Sequence, residues 1–452
     1  MVVSSYNLKA MTSITRNISA RLLQWKQAPA RKPLVLRGAR QTGKTYSLVE
    51  FGRQQFSAFH VLNFQENPEL GSLFEGSLSP AGIIEALEFF LDANINPATD
   101  LVIFDEIQDC PRALTSIKYF CEQMPELALC CAGSLLGVIH TEEPFPVGKV
   151  TFLDLYPLSF TEFMQAVGEK KLLKYLESIN QETQIPEFIH QNLLSVLREY
   201  FVVGGLPEIV DVYRRNREHR RDAFEQVRAR QRDLLDAYVR DFAKYADSAR
   251  SDRIFAVFSA IPAQLAKENK KFVASKVVSG GRYSALQSAI DWLVGAGLVN
   301  KVPIANSGQL PFSAFTKENR FKLYFFDTGL LGALAQLSPG AVYTEADLFA
   351  TFKGAFCENH VAQELRQSRG KALYCWASNT AEVEFMLELD GQVLPVEVKS
   401  GKSGKLKSLN VFAQKYAPPY RTRLSARNFE INHKTAMHSY PLYLSGRFPI
   451  LE

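Results

Sequence analysis

The sequence predicts an α/β protein whose N-terminal part is built on a parallel sheet. Three observations lead there. Residues 33–38 (PLVLRG), 59–65 (FHVLNFQ), 101–106 (LVIFDE) and 127–134 (LALCCAGS) are near-continuous apolar runs, as expected of strands covered on both faces. The stretches between them are long enough for the crossover helices that parallel strands need. The first run passes into Gly38-Ala39-Arg40-Gln41-Thr42-Gly43-Lys44-Thr45, a GxxxxGK[ST] string that opens the next helix.

Composition narrows the class. The chain has 452 residues, 46% hydrophobic and 22% charged, the balance of an ordinary globular protein of about three domains. Disordered, collagen-like and disulfide-scaffold classes are excluded. The longest uncharged apolar stretch, 127–139, is shorter than a membrane span, and the first residues carry no apolar leader segment. The six Cys form no CxxC pair and no His sits at a zinc-like spacing. A cytoplasmic protein with reduced thiols, no structural zinc and no membrane contact is expected. The net charge of +5 argues little, but the segment from Gly401 onward holds nine Lys or Arg against two Glu. DNA or RNA is one partner such a basic tail suits.

The glycine-rich string has a physical reading. Its glycines let the backbone close tightly round an anion. The amides of Gly43 to Thr45 point inward at a helix N-terminus, where the dipole favours negative charge. Lys44 would reach the β- and γ-phosphates and the Thr45 hydroxyl would bind Mg²⁺. The third strand ends in Asp105-Glu106. Asp105 would hold Mg²⁺ and Glu106 would polarise the attacking water. The fourth strand ends at Gly133-Ser134; Ser134 is either a residue that positions water or γ-phosphate, or a plain strand-end turn.

The rest of the chain divides by pattern. A core over 1–155 is followed by a helical extension over 156–250. Its Tyr213–Arg232 stretch carries eight Arg, either a solvated face or a phosphate-contacting one. Residues 251–350 suggest a winged helix. Its long helix, from Tyr283, places Leu286, Ile290 and Leu293 on one stripe, and LVNKVPI (298–304) would start the wing. That unit either reads DNA or packs on its neighbours. Residues 351–452 form a second α/β unit with the basic tail.

GARQTGKT, VIFDEIQ, CAGSLL and PLSFTEF (157–163) resemble prokaryotic AAA-type ATP-binding proteins. YFVVGGLPEIV (200–210), DAYVRDFAKY (236–245) and KLYFFDTGLL (322–331) resemble the C-terminal domain of unknown function 4143 that such proteins carry. The resemblance implies a P-loop ATPase core of AAA type, a helical lid, a winged helix and a nuclease-like C-terminal fold. It departs at Gly148-Lys149, where such proteins often have Gly-Arg. An arginine there could act as a finger on a neighbouring subunit in a homo-oligomer. Lys149 brings the charge without the planar fork.

EVEFMLELDGQVLPVEVK (382–399) reads as a hairpin turning at Asp390-Gly391. Glu384 then faces Glu397, and Glu382 faces Lys399, all on one side of the sheet. Opposed carboxylates repel unless a cation lies between them. Glu358, on the preceding helix, is a third candidate ligand, and Lys399 would orient water. This series resembles the PD-(D/E)xK nuclease-like superfamily, with Glu384 where Asp is usual. The alternative is a plain wet strand face. The expected function is that of an Mg²⁺-dependent ATPase coupled to a region that engages nucleic acid. The alternatives are an ATP-gated metal nuclease in DNA processing or defence, and an ATP-driven switch for a protein partner.

Overall fold

The computed structural model describes residues 14–134, 148–245, 248–267, 269–344, 347–402 and 406–450. The chain divides into two compact units, Met1–Tyr156 with Gly295–Gly297, and Pro157–Val294 with Leu298–Glu452.

The first unit runs α1 (Ile18–Gln27), β1 (Leu34–Arg37), α2 (Lys44–Gln55), β2 (Phe59–Asn63), α3 (Pro80–Leu91), β3 (Leu101–Asp105), α4 (Pro111–Gln123), β4 (Ala128–Gly133) and β5 (Thr151–Asp154). Its five strands are all parallel, in the order β2-β3-β4-β1-β5. Alternation explains the apolar runs. Val35, Val102, Phe104, Leu129 and Cys131 pack with α3 and α4 side chains on one face. Leu34, Leu36, Leu101, Ile103, Cys130 and Ala132 pack with α1 and α2 on the other. A strand covered on both faces has no position left for a polar side chain except at its ends. The strand ends are where the chemistry sits.

The second unit opens with helices α5 (Phe160–Ala166), α6 (Lys170–Ser178), α7 (Glu187–Val203), α8 (Pro207–Asn216), α9 (Arg220–Tyr245), α10 (Ser248–Leu265) and α11 (Tyr283–Gly295). It continues through β6 (Val299–Ala305), β7 (Thr316–Phe325), α12 (Thr328–Leu334), α13 (Pro339–Thr344), α14 (Asp347–Arg369), β8 (Tyr374–Ala377), β9 (Glu382–Leu389) and β10 (Gln392–Val398). It ends with α15 (Lys407–Tyr416), β11 (Arg421–Ser425), β12 (Glu430–Asn432) and β13 (Met437–Pro441). The strands form one eight-stranded sheet, β12-β13-β11-β10-β9-β8-β6-β7. The β6–β7 hairpin, expected as a wing, is joined to this sheet by parallel pairing of β6 with β8. Leu286, Ile290 and Leu293 of α11 are buried, as their spacing predicts.

The motifs of the second half that have no catalytic reading meet in one buried polar network. Asp327 caps α12 through Leu330 N at 2.9 Å and accepts Gly205 N at 2.6 Å. Gly204 has φ +77°, and a Cβ there would lie 2.2 Å from the Asp327 Oδ1 atom, so only glycine fits. Tyr200 donates to the Leu158 carbonyl at 2.5 Å and accepts from Gln363 at 2.7 Å. Gln363 in turn accepts from Thr328 N and Oγ1, both at 3.1 Å. Glu364 accepts Phe160 N at 2.9 Å, and its carboxyl is pushed up to about 8 by burial. PLSF, YFVVGGLP and FDTG are thus parts of one packing joint. Removing the Asp327 carboxylate leaves buried amides without partners. We expect Asp327→Ala to lower the unit's stability by about 3 kcal/mol in urea unfolding. An unchanged midpoint would contradict the joint's role.

Ion pairing absorbs most of the Arg-rich stretch. Arg214 and Arg215 pair with Asp211, Arg217 with Glu169 and Glu199, Arg220 with Glu199, and Arg230 with Glu208. Arg228 is buried and donates to Gln231 at 2.9 Å. Four arginines of the basic tail are tied by neutral acceptors instead: Arg421, Arg427 and Arg447 donate to backbone carbonyls, and Arg423 donates to Ser439.

Candidate functional site

Three strand ends of the parallel sheet build the site. The sheet order sets β4 between β1, which feeds the glycine-rich loop, and β3, which ends in Asp105. Residues at the ends of β3 and β4 therefore flank the start of α2. The loop is shaped by backbone that few residues tolerate. Gly43 caps α2 at φ 89°, Gln41 has φ 63°, and a Cβ on Gly38 would stand 2.2 Å from the Leu155 carbonyl oxygen. Thr42 Oγ1 ties back to the Ala39 carbonyl at 2.9 Å.

Lys44 is buried, and its three hydrogen bonds go to neutral oxygens: Gly38 O at 3.1 Å, Ala39 O at 3.0 Å and Ser134 Oγ at 3.0 Å. Burial pulls its amine down to about 8; the charges of Glu106 and Asp105 act against that pull, and Arg40 adds to it. Thr45 Oγ1 donates to Asp105 Oδ1 at 2.9 Å. Glu106 follows in a left-handed conformation, φ 49°, and accepts Gln108 Nε2 at 2.5 Å. Two hydrogen-bonded pairs, Lys44 with Ser134 and Thr45 with Asp105, thus stand at the start of α2, with Glu106 next to Asp105 in the chain. This set can bind a polyphosphate and a hard cation and can activate a water beside them.

Two residues here escaped the sequence reading. Asn63, at the end of β2, donates to Asp105 Oδ2 at 3.3 Å and accepts the amides of Gln65 and Glu66. Its signal was visible: a polar residue closing an apolar strand, as Asp105 and Ser134 do. Arg16 donates to the Thr42 and Tyr156 carbonyls, both at 2.7 Å, and braces the loop from behind. No local pattern marks it. Lys149 pairs with Glu122 of its own chain at 2.9 Å. The segment after Ser134, including the end of CAGSLL, lies outside the described residues.

The C-terminal carboxylates form a second cluster. The hairpin ladder runs from Gln392↔Leu389 to Val396↔Phe385, the register its Asp-Gly turn predicts. The ladder ends there, one residue short of Glu384 and Glu397, and the charge of Glu397 acts on Glu384. Glu358, Glu384 and Glu397 are buried, at 4%, 9% and 3% exposure, so this is no wet face. Glu384 is pushed up to about 8 by burial, then by the charges of Glu358 and Glu397. Lys399 pairs with Glu397 at 2.5 Å. Three partners were not foreseen. Lys270 pairs with Glu358 at 2.5 Å, Lys322 lies 4.0 Å from Glu358 and bonds Glu382, and Tyr324 donates to Glu358 at 3.1 Å. Lys322 was legible as a lone cation inside the apolar run FKLYFF. Among the described residues, no group of three His, Cys, Asp or Glu side chains is placed to hold a metal ion.

Among the described residues, no helix is long and apolar enough to cross a membrane. Comparison with curated proteins returns no match. Among solved structures, the chain is similar to the Walker-type ATPase PABY2304 of Pyrococcus abyssi, at 15% identity over 72% of this chain and 96% of that one, with TM-score 0.45. It is also similar to the Aeropyrum pernix ORC1 protein in complex with DNA, at 15% identity over 72% and 93%, TM-score 0.34. A third likeness is to the Thermotoga maritima RuvB Holliday junction branch migration motor, at 13% identity over 64% and 90%, TM-score 0.31. These likenesses are too distant to carry a function across. Family models are more specific. Residues 30–164 match an AAA domain, 194–341 a domain of unknown function 8612, and 353–443 the domain of unknown function 4143. The motifs at 200–210, 236–245 and 322–331 therefore lie in the middle domain, not the last as the resemblance first placed them. With its parallel-sheet P-loop unit, the chain carries an AAA domain and ends in the domain of unknown function 4143, the make-up of an AAA-type ATP-binding protein with that C-terminus.

Proposed function

We propose that the protein is an Mg²⁺-dependent ATPase whose nucleotide state is coupled to its larger unit. The observation that carries this reading is the presence of two hydrogen-bonded pairs, Lys44 with Ser134 and Thr45 with Asp105, at one end of the parallel sheet. The amides of Gly43 to Thr45 would take phosphate oxygens. Lys44 would exchange loop carbonyls for the β- and γ-phosphates. Thr45 and Asp105 would hold Mg²⁺, whose charge would offset that of the phosphate oxygens during transfer. Glu106 would accept the proton of the attacking water, and Ser134 would orient that water or the γ-phosphate.

This reading has a pH signature. Lys44 must be protonated to hold phosphate, and burial has lowered its amine to about 8. Affinity for ATP is expected to be flat below about pH 7 and to fall by up to about tenfold per unit above about pH 8. Calorimetric titration across that range measures it. A flat profile through about pH 10 would remove the Lys44 ammonium from binding.

For the larger unit, we propose engagement of nucleic acid. The succession of α10, α11 and the β6–β7 hairpin follows winged-helix order, and exposed lysines of the C-terminal segment remain as phosphate contacts. Labelled DNA and RNA should bind in an ATP-dependent way and with affinity falling steeply as salt rises. Binding indifferent to salt and nucleotide would favour the alternative, a switch that grips a protein partner. The metal nuclease expected of Glu358, Glu384, Glu397 and Lys399 is not proposed, since among the described residues no group of three His, Cys, Asp or Glu is placed to hold a metal ion. A homo-oligomer is proposed only without a finger role for Lys149, which is paired within its own chain.

A further inference from the structure

We infer that Lys270 and Lys322 are built-in counter-ions of the Glu358–Glu384–Glu397 cluster, in place of the divalent cation that opposed carboxylates would otherwise need. The starting point is the cost of the cluster. Three carboxylates buried side by side are unfavourable by several kcal/mol each unless cations or donors answer them. Two answers are available: a divalent ion shared between them, or ammonium groups from the chain itself.

A shared divalent ion would need free oxygens on all three carboxylates. Glu397 Oε2 is a buried acceptor with no hydrogen-bond partner among the described residues, which suits a cation. Glu358 does not suit one. Its Oε1 pairs with Lys270 Nζ at 2.5 Å, and its Oε2 accepts Tyr324 at 3.1 Å and faces Lys322 Nζ at 4.0 Å. Glu384 is turned to the Val398 amide at 3.1 Å. A divalent ion binds oxygens at about 2.0–2.6 Å. Bound to Glu358, it would sit against an ammonium already bonded there. The residues present do not fit the ion.

They do fit the second answer. Lys322 is 1% exposed on β7, between Phe321 and Leu323 in the chain, and its ammonium faces Glu358 and pairs with Glu382. With Lys270 and Lys399, three ammonium groups face the carboxylates of Glu358, Glu382, Glu384 and Glu397. The cluster is close to neutral as built. It joins β7, α14, β9 and β10 without any ion from solution.

The test is Mn²⁺ binding to the full-length protein without nucleotide, read by the paramagnetic signal of free Mn²⁺. Wild type and Glu384→Gln are compared. Equal binding by the two is expected, since no Mn²⁺ should sit at the cluster. One ion bound by wild type and lost in Glu384→Gln would overturn the inference. Lys322→Met, which strips one counter-ion, is expected to bind Mn²⁺ at least about tenfold more tightly than wild type. Where that variant fails to fold, Lys270→Met serves, being nearer the surface, and the wild-type comparison decides alone. A lysine variant that folds and binds no more Mn²⁺ than wild type would also count against the inference.

Discussion

Lys44→Ala is expected to weaken ATP binding by about thirtyfold or more, because truncating one partner of a buried, charged hydrogen-bonded pair costs about 2–5 kcal/mol. The setting makes the effect large. Lys44 is held by loop carbonyls and the Ser134 hydroxyl, neutral acceptors that a phosphate would outcompete. Burial destabilises its ammonium, and a bound phosphate would relieve that cost. The variant should fold, since the loop keeps Gly43 and the Thr42–Ala39 tie. Fluorescent-nucleotide titration measures the change. Wild-type affinity in Lys44→Ala would remove the assignment of this loop.

Glu106→Gln separates binding from chemistry. The amide keeps the size and the contact with Gln108 but cannot take a proton. ATP affinity should stay within a few-fold of wild type, while turnover falls by about 10²–10⁴. Single-turnover phosphate release reads this directly. Wild-type turnover in the variant would move the general base elsewhere, and a matching loss of affinity would make Glu106 a binding residue instead.

Much of the site was legible because phosphate chemistry is local in sequence. One eight-residue string sets the loop, and the apolar strands announce their ends. Asp105 and Ser134 stand at such ends. β5 was not foreseen. It is four residues long and half-exposed, with nothing to set it apart from a loop. Partners supplied from afar were equally hidden. Arg16 reaches Thr42 across 26 positions, and Lys270 reaches Glu358 across 88. Short-range turn chemistry, by contrast, set the hairpin register correctly, because the Asp390-Gly391 pair leaves little choice of loop. The Arg-rich stretch was open between two surface readings, and neither anticipated that acids of α7 and α8 and the turn before α6 would pair with it. Charge composition counts cations but not the carboxylates folded against them.

We expect ATP to be hydrolysed at the loop formed by Gly38 to Thr45, with Mg²⁺ held by Thr45 and Asp105. The most direct measurement is phosphate release from ATP by the wild-type protein, with Mg²⁺ and with EDTA in its place. Steady turnover that EDTA abolishes is expected. Tight ATP binding with no turnover under either condition, or turnover that persists in EDTA, would contradict it.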